Sequence, residues 1–188
     1  MNLAKCAVAG LAAMLLAPPA SAQSLGGDSF VAAVRDRDGD KAMEILRSKG
    51  SLALNSRDDK GDTALTLAIL RRDDVWTGFL LSQGADPNQP GRNGDTPLIA
   101  AARVGYLSAA ADLARKRVKI DAANRRGETA LIVAVLGRHV PVVKMLLDLG
   151  ANPDETDSVA GYSARDYARR DTRSREILKL IEAKKPQP

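Results

Sequence analysis

The feature that most constrains this chain is a short string that returns at a fixed spacing. Gly61-Asp-Thr-Ala-Leu65, Gly94-Asp-Thr-Pro-Leu98, Gly127-Glu-Thr-Ala-Leu131 and Gly161-Tyr-Ser-Ala-Arg165 lie 33, 33 and 34 residues apart. Self-similarity at such a period points to a stack of like units, each burying its apolar face against the next. The string also says how each unit begins. A Thr or Ser hydroxyl accepts a free backbone N–H at a helix start, and Pro97 falls at the first helical position, where its missing N–H costs nothing.

A second string marks where helices end. Gly84-Ala-Asp-Pro-Asn88 returns two periods later as Gly150-Ala-Asn-Pro-Asp154, with Arg117-Val-Lys-Ile-Asp121 as a degenerate copy between them. Gly84 follows the apolar run Phe79-Leu80-Leu81, where a helix closes on a residue at positive φ that glycine adopts cheaply. The cluster Pro90-Gly91-Arg92-Asn93-Gly94 then turns the chain. Apolar spacing predicts helices over 41–48, 64–70, 75–82, 164–170 and 173–184. Ala68, Ala101, Ala134 and Ala168 recur in register and mark the closest helix contact of each unit.

A period of 33 with a Thr-Pro-Leu helix start and a Gly-Ala-Asp-Pro-Asn connection resembles the ankyrin repeat over residues 28–185. The resemblance implies an all-α repeat solenoid of about five units, each a helix-turn-helix plus a β-hairpin-like turn, with repeats near 28–57, 58–90, 91–123, 124–157 and 158–185. Ser29 takes the capping role in the first unit. The fifth unit carries one extra residue between 154 and 160, and its Arg169, Arg170, Arg173 and Arg175 suit the solvated face of an end cap. One departure stands out: where the family places a His after Thr-Pro-Leu, this chain has Thr66, Ile99, Ile132 and Asp166. The expectation is that the turn loses a polar tie and that Ile99 and Ile132 replace it with apolar packing.

Residues 1–22 combine Lys5, an apolar run from Cys6 to Ala17, Pro18-Pro19 and Ala20-Ser-Ala22. This pattern predicts a secretory signal peptide cut after Ala22, leaving Gln23 first, a short linker over 23–27 and no stable membrane anchor. The single Cys leaves with the signal, which is compatible with an oxidising compartment such as the periplasm of a Gram-negative bacterium, with secretion as the alternative. Residues 186–188 are expected to form a disordered tail.

Catalytic chemistry finds little foothold. His139 is the only His and is expected to serve local hydrogen bonding, since a lone imidazole has no nucleophile or metal partner to assist. Gly161-Tyr-Ser-Ala-Arg165 ends in Arg where a nucleophile elbow needs Gly, and Ser163 occupies a capping slot. No phosphate-cradling glycine motif is present. No catalytic, cofactor or metal residues are therefore expected.

The resemblance implies a protein partner bound on the concave ledge formed by hairpin tips and first helices. Residue by residue, the candidate contacts are Leu70, Arg71, Arg92, Arg103, Val104, Arg125, Arg126 and Leu136. The ledge arginines suggest a partner with an acidic surface, with Leu70, Val104 and Leu136 as apolar anchors. The net charge is +5, but export and the mixed signs of the ledge argue against nucleic acid. The leading expectation is a non-enzymatic interaction module or scaffold. A structural or stress-protective role, shielding other exported proteins, is the alternative, and an enzyme comes last.

Overall fold

The computed structural model describes residues 27–184, and the candidate signal segment, its cleavage site at Ala20, Ala22 and Gln23, and the tail from 185 lie outside them. Among the described residues the architecture is all-α, with eleven α-helices and no strand. They are α1 (Gly27–Asp36), α2 (Gly39–Lys49), α3 (Ser51–Leu54), α4 (Ala64–Leu70), α5 (Asp74–Ser82), α6 (Pro97–Arg103), α7 (Leu107–Ala114), α8 (Ala130–Leu136), α9 (Val140–Asp148), α10 (Ala164–Arg170) and α11 (Arg175–Ala183). Helices α1, α4, α6, α8 and α10 pack in succession as an inner row, and α5, α7, α9 and α11 form the outer row behind them.

Each inner helix starts as its sequence dictates. The hydroxyls of Thr63, Thr96, Thr129 and Ser163 accept the backbone N–H three residues on. At two starts the polar tie is retained, contrary to expectation: Thr66 Oγ1 accepts the Thr63 N–H at 3.0 Å and Asp166 Oδ2 accepts the Ser163 N–H at 3.1 Å. Both close reciprocal capping boxes. At the other two starts Ile99 and Ile132 are fully buried, as the apolar substitution leads one to expect. Ala68, Ala101, Ala134 and Ala168 are likewise buried in the inner row.

Helix ends in the second, third and fourth units follow one device used twice in each. Gly84 and Gly150 sit at φ +91° and +88°, and the following Ala85 and Ala151 N–H groups reach back to the Leu80 and Leu146 carbonyls. Arg117 stands in the same place at φ +56°. The inner helices α1, α4 and α8 end the same way, but with Arg37, Arg72 and Arg138 in the left-handed conformation, at a cost of about 1–2 kcal/mol each. Their side chains reach the next unit. Arg37 pairs with Asp73 at 2.7 Å, Arg72 lies over the Tyr106 ring at 5.5 Å, and Arg138 pairs with Asp171 at 2.6 Å.

The ends of the stack depart most from the sequence reading. Ser29 lies inside α1 rather than ahead of it, α2 runs three residues longer than 41–48, and α3 follows it without a sequence counterpart. In the outer row Trp76 and Phe79 stack edge to face with centroids 5.4 Å apart. They face the preceding unit across an apolar cleft of about 210 Å³, lined also by Gly39, Met43 and Val75.

Candidate functional site

The connecting turns build a continuous edge beside the inner row. In the second, third and fourth units the turn closes on itself four residues apart, through Asp58 N–H to Asp62 O, Gly91 N–H to Asp95 O and Asn124 N–H to Glu128 O at 2.8–3.0 Å. In the fifth the extra residue shows: Asp157 N–H bonds the Tyr162 carbonyl, five residues on. The side chains of Asp58, Asn124 and Asp157 each accept two or three backbone N–H groups inside their own turn. Adjacent turns are then stitched together, Arg125 N–H to Asn93 O at 3.0 Å and Ser158 N–H to Arg126 O at 2.8 Å. Gly91 is there because a Cβ would stand 2.8 Å from the Thr66 hydroxyl beneath it.

Between this edge, as far as the turn of the fourth unit, and the inner helices α4 and α6 of the second and third units lies an open groove of about 460 Å³. It brings together four of the expected contacts, Leu70, Arg92, Arg103 and Arg126. Leu70 is 37% exposed at the end of α4. Leu136 is 48% exposed at the end of α8 and lines a separate hollow of about 340 Å³ with Val135, Tyr167 and the side chains of Arg138, Arg170, Asp171 and Arg173. Val104, at the C-terminus of α6, is half-buried against the core. Arg71 donates to the Arg35 carbonyl, and Arg125 is exposed with its stem against Gly94. None of these three lines the groove.

The arginines of the groove are already paired. Arg92 binds Asp62 at 2.7 Å, Arg103 binds Asp95 at 2.7 Å with Glu128 at 3.7 Å, and Arg126 lies 3.4 Å from Glu128. Asn124 ties the carboxylates to one another by donating to both Asp95 and Glu128. Two of these pairs, Arg92–Asp62 and Arg103–Glu128, cross from one unit to the next, and two, Arg103–Asp95 and Arg126–Glu128, stay within a unit. Asn124 went unremarked, although it occupies the same turn position as Asp58.

His139 is the N-cap residue of α9. Its Nε2 lies 3.3 Å from the Arg103 carbonyl, and its ring fills the space that a Cβ on Gly105 would enter at 2.4 Å. That is a packing role between the third and fourth units. Tyr106 donates to Asp74, and burial together with this bond pushes the phenol up to about 12. Among the described residues no group of three or more His, Cys, Asp or Glu side chains converges, and no helix is long and apolar enough to cross a membrane.

Comparison with known proteins matches residues 76–157 to a family described as ankyrin repeats (3 copies). The chain is 30% identical over 143 residues to a putative ankyrin repeat-containing protein of Treponema pallidum (strain Nichols), covering 76% of this chain and 47% of that one. It is 32% identical over 135 residues to NF-kappa-B inhibitor alpha of Homo sapiens, covering 67% and 43%. To the mitochondrial disaggregase of Bos taurus it is 36% identical over 140 residues, covering 72% and 20%. The chain thus spans less than half the length of each of these relatives.

Proposed function

The chain is an ankyrin-repeat protein, and from that premise we propose that it is a non-enzymatic protein-binding module, exported to the periplasm, which takes a partner with an acidic surface on its concave face. The observation that carries the reading is the groove along the connecting turns, open to solvent and lined by the exposed side chain of Leu70, with the exposed Leu136 lining a second hollow further along the inner row. A leucine left exposed at the end of a helix whose other apolar side chains are mostly buried is an anchor in search of a pocket. One relative, by its name, is an inhibitor of another protein, which agrees with a binding role. Export rests on the signal pattern of residues 1–22.

The internal pairing of Arg92, Arg103 and Arg126 changes how such a face binds. Their charges are met by Asp62, Asp95 and Glu128, so the groove offers shape, apolar anchors and a fixed polar rim more than free charge. A shielding role toward other exported proteins draws on a different feature, the apolar cleft at Met43, Val75, Trp76 and Phe79 on the outer row.

Crosslinking in the native compartment, followed by identification of captured proteins, tests the reading. One stoichiometric partner lost with Leu70→Ala/Leu136→Ala, and less affected by Arg103→Glu, is the expected result. Many weak clients lost instead with Trp76→Ala would favour shielding, and capture that ignores both changes would move the site off these faces.

A further inference from the structure

The hollow at the C-terminal end of the inner row differs from the groove in one respect, its charge balance. Its lining carries three guanidinium groups, Arg138, Arg170 and Arg173, against one carboxylate, Asp171. Asp171 engages Arg138 Nε at 2.6 Å and Arg173 Nε at 3.4 Å. Among the described residues only the Nε of each of these arginines donates a side-chain hydrogen bond, and the terminal nitrogens donate none. Among the described residues Arg170 meets the face of the Tyr162 ring, 4.4 Å from its guanidinium carbon. Stacking fixes the plane of a guanidinium while leaving its in-plane N–H donors available. Three pre-positioned forks around one hollow, with a single internal anion among them, form a site with donors to spare.

We propose that this hollow is a carboxylate-binding subsite, which reads an acidic segment of the protein partner through Arg170 and Arg173, with Arg138 held behind them by Asp171. The proposal rests on the reading of the concave face as the binding surface and assigns the recognition of acid to its C-terminal end, away from the self-neutralised groove. Two further features fix the ligand class. The hollow already holds a carboxylate, Asp171, which accepts from Arg138 Nε, so a carboxylate has room among these guanidinium groups. Val135, Leu136 and Tyr167 form an apolar wall beside it, suited to a peptide that alternates acidic and aliphatic side chains and ill suited to a nucleic-acid backbone.

The test needs no native partner. Binding of fluorescein-labelled hexaglutamate to the purified chain is measured by anisotropy at low salt, with hexaglutamine as control and inorganic phosphate as competitor. Removing two charge-assisted contacts in Arg170→Ala/Arg173→Ala is expected to weaken hexaglutamate about ten-fold, while Arg47→Ala/Lys49→Ala, which removes two exposed charges of α2 at the other end of the stack, changes it by less than about two-fold. Asp171→Asn removes the competing anion but keeps an acceptor for the Arg173 backbone N–H, and is expected to tighten binding about three-fold. Arg173 is 72% exposed, so Arg173→Gln folds whatever the double variant does and is expected to weaken binding about three-fold. Equal losses in the two double variants, weaker binding in Asp171→Asn, or no preference for hexaglutamate over hexaglutamine would overturn the subsite. So would phosphate displacing the peptide at equimolar concentration. If hexaglutamate fails while partner capture still depends on Leu70 and Leu136, the subsite falls and the binding face stands.

Discussion

The fourth and fifth units have the same helix-turn-helix course and are held in the stack by different forces. In α8 the first six of seven residues are buried, Ala130 through Val135, and α9 adds Val142, Val143, Leu146 and Leu147. In α10 only Ala164 and Ala168 are buried, and α11 adds Ile177 and Ile181. What the fifth unit lacks in apolar area it supplies in polar ties. Tyr167 donates to Asp157, Arg165 binds Asp154 at 2.7 Å, Ser163 and Asp166 bond reciprocally, and Asp171 receives Arg138 from the unit before. An inner repeat must bury two faces and an end repeat one. The comparison teaches that an end unit, with one face to bury, can be fastened by polar ties where an inner unit needs apolar area on both sides.

The largest expected effect breaks the apolar side. Leu131 is almost fully buried in α8, and Leu131→Ala is expected to destabilise by about 2–5 kcal/mol through lost transfer energy and the cavity left behind. Tyr167→Phe in the fifth unit removes only the hydroxyl that Asp157 accepts, and is expected to cost less, about 1.5–3 kcal/mol. Urea titration of both variants checks the order. If Tyr167→Phe cost as much as Leu131→Ala, the division between an apolar unit and a polar one would be wrong.

That division was legible in the sequence, because Leu131-Ile-Val-Ala-Val-Leu136 and Ala164-Arg-Asp-Tyr-Ala-Arg-Arg170 occupy the same place in the repeat. The bounds of α4 and α10 follow from the capping Thr63 and Ser163 and agree with the spacing residue for residue. The first unit was harder to read because it lacks the Thr-Ala-Leu start, so the beginning of α1 and the whole of α3 carry no local signal. At the candidate site the positions of Arg92, Arg103 and Arg126 follow from the period. Their partners do not, since the Arg92–Asp62 pair joins residues 30 apart. The polar tie at Thr66 departs from the expectation because a hydroxyl on the first turn accepts the Thr63 N–H as a longer polar side chain would.

Acid is expected to separate the two units next. Asp154, Asp157, Asp166 and Asp171 all lie in the fifth unit or its approach, and all are held below the ordinary carboxylate range. The Arg165 guanidinium does this for Asp154, the Ser163 hydroxyl and N–H for Asp166, and the Arg138 guanidinium for Asp171. For Asp157 burial opposes the charge, while the Tyr167 hydroxyl and three backbone N–H groups favour it. A carboxylate depressed in the folded state gives stability that is present above its unfolded value, about 3.9, and lost as pH falls toward the folded value. Below about pH 4, amides of α10 and α11 should therefore lose hydrogen-exchange protection before those of α8 and α9. Tyr167 gives the opposite edge: its bond to Asp157, aided by burial, raises it to about 12, so its contribution fades as pH climbs from about 10. Simultaneous loss of protection in both units on acidification would rule the electrostatic account out.

The smallest effect isolates a single exposed tie. Arg165 Nε meets Asp154 at 2.7 Å, but the Asp154 side chain is 53% exposed, so water and salt screen the pair and its worth is about 0.2–1 kcal/mol. Arg165→Ala is thus expected to lower the urea midpoint slightly at low ionic strength. At 1 M salt, where the screening length falls to about 3 Å, the long-range part of the attraction is gone. The difference between Arg165→Ala and the parent chain should then shrink toward the packing loss of the half-buried arginine stem alone. Leu131→Ala in the fourth unit provides the control, because removal of aliphatic contacts is not relieved by screening. A salt-independent penalty for Arg165→Ala would mean that its largely buried stem matters more than its charge, and that the fifth unit is bound more like the fourth than its polar ties suggest.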